Sequence, residues 1–145
     1  MRVASLFSGG KDSVYATYVA SMHGWDVVRL VTLVSDASDS WMFHKPNVEL
    51  APALADCMGI PILMQPTAGE KESELGDMKA ALSYVKGEDK IEGVISGALA
   101  SEYQRVRIEK VCHELGLKSF TPLWHKEQEL ILRELVAAGF DVRIV

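Results

Sequence analysis

The sequence predicts an α/β fold, namely an open, mostly parallel sheet of about five to six strands with helices on both faces. Three observations lead to this prediction. Short apolar runs rich in β-branched residues alternate with longer amphipathic stretches, glycines follow several of these stretches, and the spacing leaves room for a helix between successive strands. Such connections between parallel strands are right-handed crossovers, which cover the sheet with helices.

The first elements are a strand, a tight loop, a helix and a second strand. A short apolar run, residues 3–7, predicts a buried strand, and apolar side chains then recur at helical spacing over residues 14–22 until Gly24. Residues 27–34 form a second apolar run rich in β-branched residues, which predicts another strand.

A polar loop, residues 35–47, separates the second strand from the second helix. That helix is predicted over residues 48–58, because Gly59 and Pro61 interrupt the pattern after it. Pro52 lies inside this range. It marks either a kink or a later start of the helix, since proline is tolerated best in a first turn.

The alternation of strands and helices continues to the last residue. Further strands are predicted at residues 62–64, 93–96, 119–120 and 140–145. Further helices are predicted at residues 70–86, at residues 102–115 before Gly116, and at residues 126–138 before Gly139. The whole chain, residues 1–145, is therefore predicted to form one domain, as its length also indicates.

The composition predicts a soluble domain of a reducing cytoplasm. Residues 1–7 are too short an apolar run for a signal peptide, and no stretch approaches the roughly 20 apolar residues that span a membrane. The two cysteines, Cys57 and Cys112, form no CxxC pair, which argues against a disulfide framework or a zinc site. The net charge of −5 argues against nucleic acid as a partner, and the oligomeric state stays open.

The segment that carries the chemistry is the glycine-rich loop after the first strand. It consists of Ser8, Gly9, Gly10, Lys11, Asp12 and Ser13. Consecutive backbone N–H groups in such a turn, leading into a helix, form a concave array of donors for phosphate oxygens. Both glycines are expected to admit the phosphates and to adopt positive φ, and the lysine adds positive charge. The alternative is a strand-to-helix turn with a good cap.

Two further features of the loop define its chemistry. Asp12 beside an anion is explained if it caps the helix or reaches a Mg²⁺ ion that bridges the phosphates, and Ser13 offers a hydroxyl and an N–H. The patterns GxxxxGK[ST] and GxGxxG are both absent, so a mononucleotide P-loop and a dinucleotide-binding fold fit poorly.

The segment SGGKDS resembles the PP-loop of the N-type ATP pyrophosphatases. The resemblance implies an adenine nucleotide alpha hydrolase-like fold, also described as HUP or Rossmann-like. It also implies that the loop holds the leaving pyrophosphate while a substrate oxygen attacks the α phosphorus of ATP. Ligands in open parallel sheets lie beyond the carboxyl ends of the strands, where the strand order reverses.

Three further segments resemble one branch of that group, the diphthine-ammonia ligases. They are Met42-Phe43-His44 with Asn47, residues 69–74 (GEKESE), and residues 96–105 (SGALASEYQR) with Arg107, followed by residues 121–124 (TPLW). The resemblance implies that ATP, with Mg²⁺, adenylates the carboxylate of diphthine on elongation factor 2. Ammonium then gives the amide, with release of AMP and pyrophosphate.

The segment after the fourth strand supplies further candidate residues. With a strand order of 3-2-1-4-5 it flanks the PP-loop, so that Gly97 allows a close approach to the nucleotide while Gln104, Arg105 and Arg107 contact the α phosphate or the acyl-adenylate. We therefore expect Lys11, Asp12 and Arg105 to be catalytic. The alternative for Arg105 is a surface pair with a glutamate four residues later, Glu109.

His44 and an acidic cluster complete the candidate residues. The histidine lies after the second strand, where it binds nucleotide or substrate, accepts a proton from ammonium, or is simply exposed. Glu70, Glu72 and Glu74 begin a helix, where the dipole favours acidic residues in any case. Of these, Glu72 or Glu74 is the better candidate for holding Mg²⁺ or ammonium.

The sequence departs from the diphthine-ammonia ligases in one respect. Members of that branch usually continue past the last residue of this chain, with a second motif in the substrate region that is not present here. Two alternative functions therefore stay open, a tRNA-modifying PP-loop ATP pyrophosphatase and a non-catalytic ATP-binding module. The former would be expected to carry CxxC cysteines or a basic RNA-binding appendage, and neither is present.

Overall fold

The computed structural model describes residues 1–8, 10–35, 50–67, 71–97, 102–123 and 128–141. Within these ranges, five parallel strands form one sheet in the order β3-β2-β1-β4-β5, which confirms the α/β fold and the expected strand order. The strands are β1 (Arg2–Leu6), β2 (Asp26–Ser35), β3 (Ile62–Thr67), β4 (Gly93–Ile95) and β5 (Lys118–Phe120). The helices are α1 (Lys11–Met22), α2 (Ala51–Met58), α3 (Lys71–Asp89), α4 (Glu102–Glu114) and α5 (Gln128–Ala137).

The strand order reverses around the central strand, β1. Leu6 pairs with Val31 of β2 on one side, whereas Ser5 pairs with Ile95 of β4 on the other. The crossovers from β1 to β2 and β3 therefore build one half of the sheet, and the later crossovers to β4 and β5 build the other half. The carboxyl ends of β1 and β4 meet at this switch point, where ligands of open sheets bind.

Alternate residues of β1 join separate hydrophobic clusters on opposite faces of the sheet, as the two-residue period of a strand requires. Val3 packs in a cluster with Tyr15 of α1 and Leu135 of α5, on one face of the sheet. Ala4 and Leu6 pack in a cluster with residues of α3 and α4 on the other face. Helices therefore cover both faces of the sheet, as predicted.

Helix α2 begins later than the sequence pattern suggested. It starts at Ala51, so that Pro52 lies in the first turn, where its missing N–H costs no helical hydrogen bond. Of the two alternatives for this proline, the later start is the observed one. The helix ends as predicted at Gly59, whose φ of 70° lies in the left-handed region that favours glycine.

Strand β3 is longer than predicted and includes Pro66. The strand lies at the edge of the sheet, where a proline can leave its missing donor on the open side while its neighbours pair with β2. The sixth predicted strand, residues 140–145, is not formed at Phe140 and Asp141, and the rest of it lies outside the described residues. No helix within the described ranges is long and apolar enough to cross a membrane.

Candidate functional site

The glycine-rich loop lies at the carboxyl edge of the sheet, between the end of β1 and the start of α1. Phe7 continues the pairing of β1 for one more residue, since its N–H donates to the carbonyl of Val31 at 2.8 Å. Its own carbonyl accepts a hydrogen bond from the hydroxyl of Thr32 in β2. The start of the loop is therefore held by both backbone groups of Phe7, which is fully buried.

Gly10 is the N-cap of α1, but not in the conformation expected from the sequence. Its φ is −74° and its ψ is 164°, which is extended backbone rather than the positive φ that we expected. A Cβ at this position would lie 3.3 Å from the hydroxyl oxygen of Ser8, which is a tight contact. Glycine is therefore favoured here by space in the loop and not by a left-handed backbone.

The hydroxyl groups of Ser8 and Ser13 fix the shape of the loop. The Ser13 hydroxyl donates to the carbonyl of Gly10 at 3.0 Å, and it accepts from the Ser8 N–H at 3.3 Å. The Ser8 hydroxyl accepts from the Gly10 N–H at 3.2 Å and lies 3.3 Å from the Ser13 hydroxyl. A hydroxyl has one proton, and that of Ser13 is already used, so Ser8 donates in the contact between the two hydroxyls.

A buried polar chain joins this loop to the sheet. Thr17 donates its hydroxyl proton to the carbonyl of Ser13 at 2.7 Å, and its oxygen lies 2.8 Å from the hydroxyl of Ser5 in β1. Because the Thr17 proton is used, Ser5 is the donor in that second bond. Ser5 and Thr17 are both fully buried, so these bonds attach the first turns of α1 to the central strand.

Lys11 and Asp12 form an ion pair at the start of α1. The Lys11 ammonium lies 2.9 Å from Oδ1 of Asp12, and the two side chains are 32% and 30% exposed. Of the two roles expected for Asp12, helix capping is wrong, because the N-cap is Gly10 and no side-chain cap hydrogen bond is formed there among the described residues. Its carboxylate stands instead in the first turn of α1 as a partner of the loop cation.

Gly97 follows β4 and packs directly against the first turn of α1. A Cβ on Gly97 would lie 2.8 Å from the carbonyl carbon of Asp12 and 2.8 Å from the backbone nitrogen of Ser13. The preceding residue, Ser96, is held by its N–H, which donates to the carbonyl of Phe120 in β5 at 2.9 Å. The structure therefore brings together the two segments that the sequence singled out, and the close approach at Gly97 is to the protein's own backbone.

Arg105 lies on α4 between two glutamates of the same helix. Its guanidinium donates to Glu102 and to Glu109, each at 2.9 Å, and these carboxylates raise the pKa of the guanidinium further above its usual value. The pairing with Glu109 that sequence spacing offered as an alternative is therefore present. Gln104 is half-buried on the same helix.

Arg107 packs against its own helix instead of projecting freely. Its guanidinium carbon lies 3.7 Å from the centre of the Tyr103 ring, and Nη1 donates to the Tyr103 carbonyl at 3.3 Å. An arginine over an aromatic face is stabilised by a cation–π interaction. In this arrangement Arg107 supports the start of α4.

The acidic residues divide into those that the structure describes and those that it does not. Glu74 is fully buried in the second turn of α3, whereas Glu70 and the side chain of Glu72 lie outside the described residues, as do Gly9 and His44. Within the described ranges no group of three histidine, cysteine, aspartate or glutamate residues is placed to hold a metal ion. Of the candidate carboxylates, that of Asp12 lies at the glycine-rich loop with its side chain 30% exposed.

The sequence reasoning missed Ser5 and Thr17 as supports of the loop. A signal was present, because Ser5 lies within an otherwise apolar strand and Thr17 follows Ser13 by one helical turn. Polar residues at positions that the pattern buries need hydrogen-bond partners, and here the partners are each other and the loop.

The sequence of the chain matches a family model and several curated proteins. Residues 1–119 match the family model of the diphthamide synthase N-terminal domain. Among curated proteins, the diphthine–ammonia ligases of Rattus norvegicus and Homo sapiens are 34% and 32% identical to the chain over 163 aligned positions. Each alignment covers 100% of this chain and 61% of the relative, so the chain spans about three fifths of the length of these proteins.

Solved structures share the fold at lower sequence identity. A predicted subunit of tRNA methyltransferase from Methanocaldococcus jannaschii has a TM-score of 0.60 at 17% identity, with 100% of this chain and 78% of that chain covered. A Pyrococcus horikoshii protein has the same TM-score at 15% identity, with coverage of 96% and 41%. Both likenesses concern the fold alone. The family model matches residues 1–119, which are most of the chain. The chain therefore belongs to the diphthamide synthase family, of which it carries the N-terminal domain.

Proposed function

We propose that the chain binds ATP through residues 8–13 and forms the nucleotide-binding part of an enzyme that amidates diphthine on elongation factor 2. The observation that carries this proposal is the contact of Gly97 with the first turn of α1. It supports one site built from two segments of separate strands, at the switch point where open sheets bind their ligands.

The proposed reaction has two steps. A carboxylate oxygen of diphthine attacks the α phosphorus of ATP, the bond between the α phosphorus and the bridging oxygen breaks, and pyrophosphate leaves. Ammonia, formed from ammonium by loss of a proton, then attacks the carbonyl carbon of the acyl-adenylate, and AMP leaves as the amide forms. The names of the curated relatives support diphthine and ammonia as the substrates.

The proposed roles follow from position and charge. Gly9, Gly10 and Ser13 are proposed to bind the leaving pyrophosphate, with Ser8 shaping the loop as acceptor of the Gly10 N–H and Lys11 adding positive charge. Asp12 is the proposed ligand of Mg²⁺, which would neutralise charge on the phosphates.

A second set of residues is proposed on the α phosphate side. Gly97 keeps the segment after β4 in contact with the loop, Gln104 binds nucleotide, and Arg105 stabilises negative charge that develops on the α phosphate oxygens. His44 is proposed to bind nucleotide or substrate. With elongation factor 2 as substrate, the protein would act in the cytoplasm.

The reaction can be tested by incubating the protein with ATP, Mg²⁺, ammonium and elongation factor 2 that carries diphthine. We expect AMP, pyrophosphate and an amidated factor, detected by chromatography and intact-mass analysis. Omitting ammonium is the control, because adenylation without a nucleophile gives no amide. Tight ATP binding without any AMP would instead support a non-catalytic ATP-binding module and would contradict the ligase proposal for this chain.

A further inference from the structure

We propose that Tyr103 is a positioning residue, whose ring holds the guanidinium of Arg107 at the start of α4 so that its positive charge faces the α phosphate of ATP. This role rests on the proposed function, to which it adds a residue that acts through another. The contact between the two side chains carries it, together with the place of α4 in the sheet.

Arg107 is attached in the second turn of α4, but its guanidinium lies over the first turn. Nη1 donates to the carbonyl of Tyr103 at 3.3 Å, and the guanidinium carbon is 3.7 Å from the centre of the Tyr103 ring. Long side chains of a helix point back towards its N-terminus in this way. Since α4 follows β4, which is parallel to β1, its first turn lies at the carboxyl edge of the sheet. The charge of Arg107 is therefore carried towards the edge where open sheets bind their ligands.

The ring of Tyr103 is a firm support for the arginine. It is half-buried and packs against the hydrophobic cluster that contains Ala4 and Leu6 of β1. The ring cannot turn away without breaking this packing, so a guanidinium stacked on it loses much of the freedom of a long side chain. Stacking on an aromatic face also suits the planar guanidinium, because the N–H groups at its edge still point outwards to an acceptor such as phosphate.

The two arginines at the start of α4 differ in how their charges are compensated. Arg105 is bonded to Glu102 and to Glu109, so its charge is shared with two carboxylates. Within the part of the chain that the structure describes, Arg107 contacts the ring and the carbonyl of Tyr103 and pairs with no carboxylate. A cation close to the N-terminus of a helix is disfavoured by the helix dipole unless an anion lies beside it. The charge of Arg107 is therefore available to negative charge that develops on the α phosphate oxygens.

The test measures AMP formation with ATP, Mg²⁺, ammonium and elongation factor 2 that carries diphthine, and separates kcat from KM for ATP. Arg107→Ala should lower kcat on the order of 10²-fold, because the arginine acts on charge that develops in the transition state. Tyr103→Leu keeps an apolar side chain against the core but removes the ring, and it should lower kcat on the order of tenfold with a smaller change in KM. Tyr103→Phe retains the ring and should recover most of the rate.

A double-mutant cycle shows whether Tyr103 acts through Arg107. The double variant Tyr103→Leu, Arg107→Ala should be about as slow as Arg107→Ala alone, since no guanidinium is left for the ring to hold. Tyr84→Leu and Arg133→Ala are matched controls, because Tyr84 is 53% exposed on α3 and the Arg133 side chain is 76% exposed on α5. Both controls should have the kcat of the unmodified chain. If Tyr103→Leu unfolds, Arg107→Lys keeps the charge and the ring but loses the planar group, and it should be slower on the order of tenfold.

The outcomes separate this role of Tyr103 from the proposed function. An unchanged kcat in Tyr103→Leu or in Arg107→Lys would overturn the positioning role, while AMP formation by the unmodified chain would uphold the proposed function. A double variant that is slower by the product of the two single effects would also overturn the role, as would a Tyr103→Phe variant as slow as Tyr103→Leu. Absence of AMP from the unmodified chain would overturn both.

Discussion

Gly97 and Asp12 are so close that a Cβ on Gly97 would lie 2.8 Å from the carbonyl carbon of Asp12. The neighbour is backbone in the first turn of a helix, so it cannot swing away as a flexible side chain could. Gly97, two residues after β4, therefore sets the position of the start of α1, which follows the loop. A side chain at Gly97 must displace one segment or the other.

Replacing Gly97 with alanine should therefore weaken ATP binding on the order of tenfold and lower the free energy of unfolding by about 1–3 kcal/mol. Calorimetric ATP titration and denaturant unfolding measure the two effects. Gly76→Ala is the matched control: a Cβ there meets nothing within 4 Å, and alanine favours the interior of α3 by about 0.5–1 kcal/mol. Equal ATP affinity in Gly97→Ala and the unmodified chain would contradict the positioning role.

Removing the Thr17 hydroxyl should destabilise the protein more than removing that of Ser5. Thr17→Val leaves the buried Ser5 hydroxyl without its acceptor and removes the second hydrogen bond to the Ser13 carbonyl, at a cost of about 1–3 kcal/mol. Ser5→Ala leaves the Thr17 bond to Ser13 intact. Urea denaturation of both variants and of the double variant measures the order, with Thr17→Val the least stable single variant. The reverse order would contradict the assignment of Ser5 as donor to Thr17.

Tyr15 makes a contribution to the stability of the fold that is lost at alkaline pH. Its hydroxyl donates to Glu134 of α5 at 2.6 Å, and burial, followed by this carboxylate, raises its pKa from 10.0 to about 12. Because the folded pKa lies above the unfolded one, this contribution is complete below pH 10 and is lost as the pH rises towards about 12.

Tyr15→Phe should therefore be less stable than the unmodified chain at neutral pH, and the difference should shrink between pH 10 and about 12. Denaturant unfolding at a series of pH values measures this difference. Tyr84→Phe is the control, since Tyr84 is 53% exposed. A stability difference for Tyr15→Phe that stays constant through pH 12 would contradict the raised pKa.

Arg105 should matter more for the reaction than for the fold. Its two ion pairs are within one helix and partly exposed, so Arg105→Ala should change the stability of the fold only slightly. If Arg105 stabilises charge on the α phosphate, the same variant should slow AMP formation by about 10²-fold or more. Glu109→Gln is the control and should leave that rate nearly unchanged. A rate for Arg105→Ala equal to that of the unmodified chain would show that the arginine only clamps the helix.

The ends of the helices were predictable because the residues that mark them are neighbours in the sequence. Gly24, Gly59, Gly116 and Gly139 have positive φ and follow four of the helices at the places where the sequence pattern stops. The extension of β3 through Pro66 was not predictable, because whether a proline ends a strand depends on whether that strand lies at the edge of the sheet. Only the strand order decides this.

The loop was predictable as a segment but not in its detail. The pattern SGGKDS identified residues 8–13, yet the extended backbone of Gly10 and the pairing of Asp12 with Lys11 depend on which hydrogen bonds compete locally. Gly97 was expected to face a ligand, and its contact with Asp12 depends on the register between β1 and β4. The spacing of residues along the sequence does not show how β1 and β4 are aligned.

The central claim is that residues 8–13 bind the phosphates of ATP, and Lys11→Ala tests it most directly. ATP with Mg²⁺ is titrated into the unmodified chain and into Lys11→Ala, and the midpoint of denaturant unfolding is measured for both. We predict that the variant unfolds at nearly the same denaturant concentration and binds ATP on the order of tenfold more weakly or worse, because a charge next to the phosphates is lost. Equal ATP affinity in a folded Lys11→Ala variant would contradict the claim.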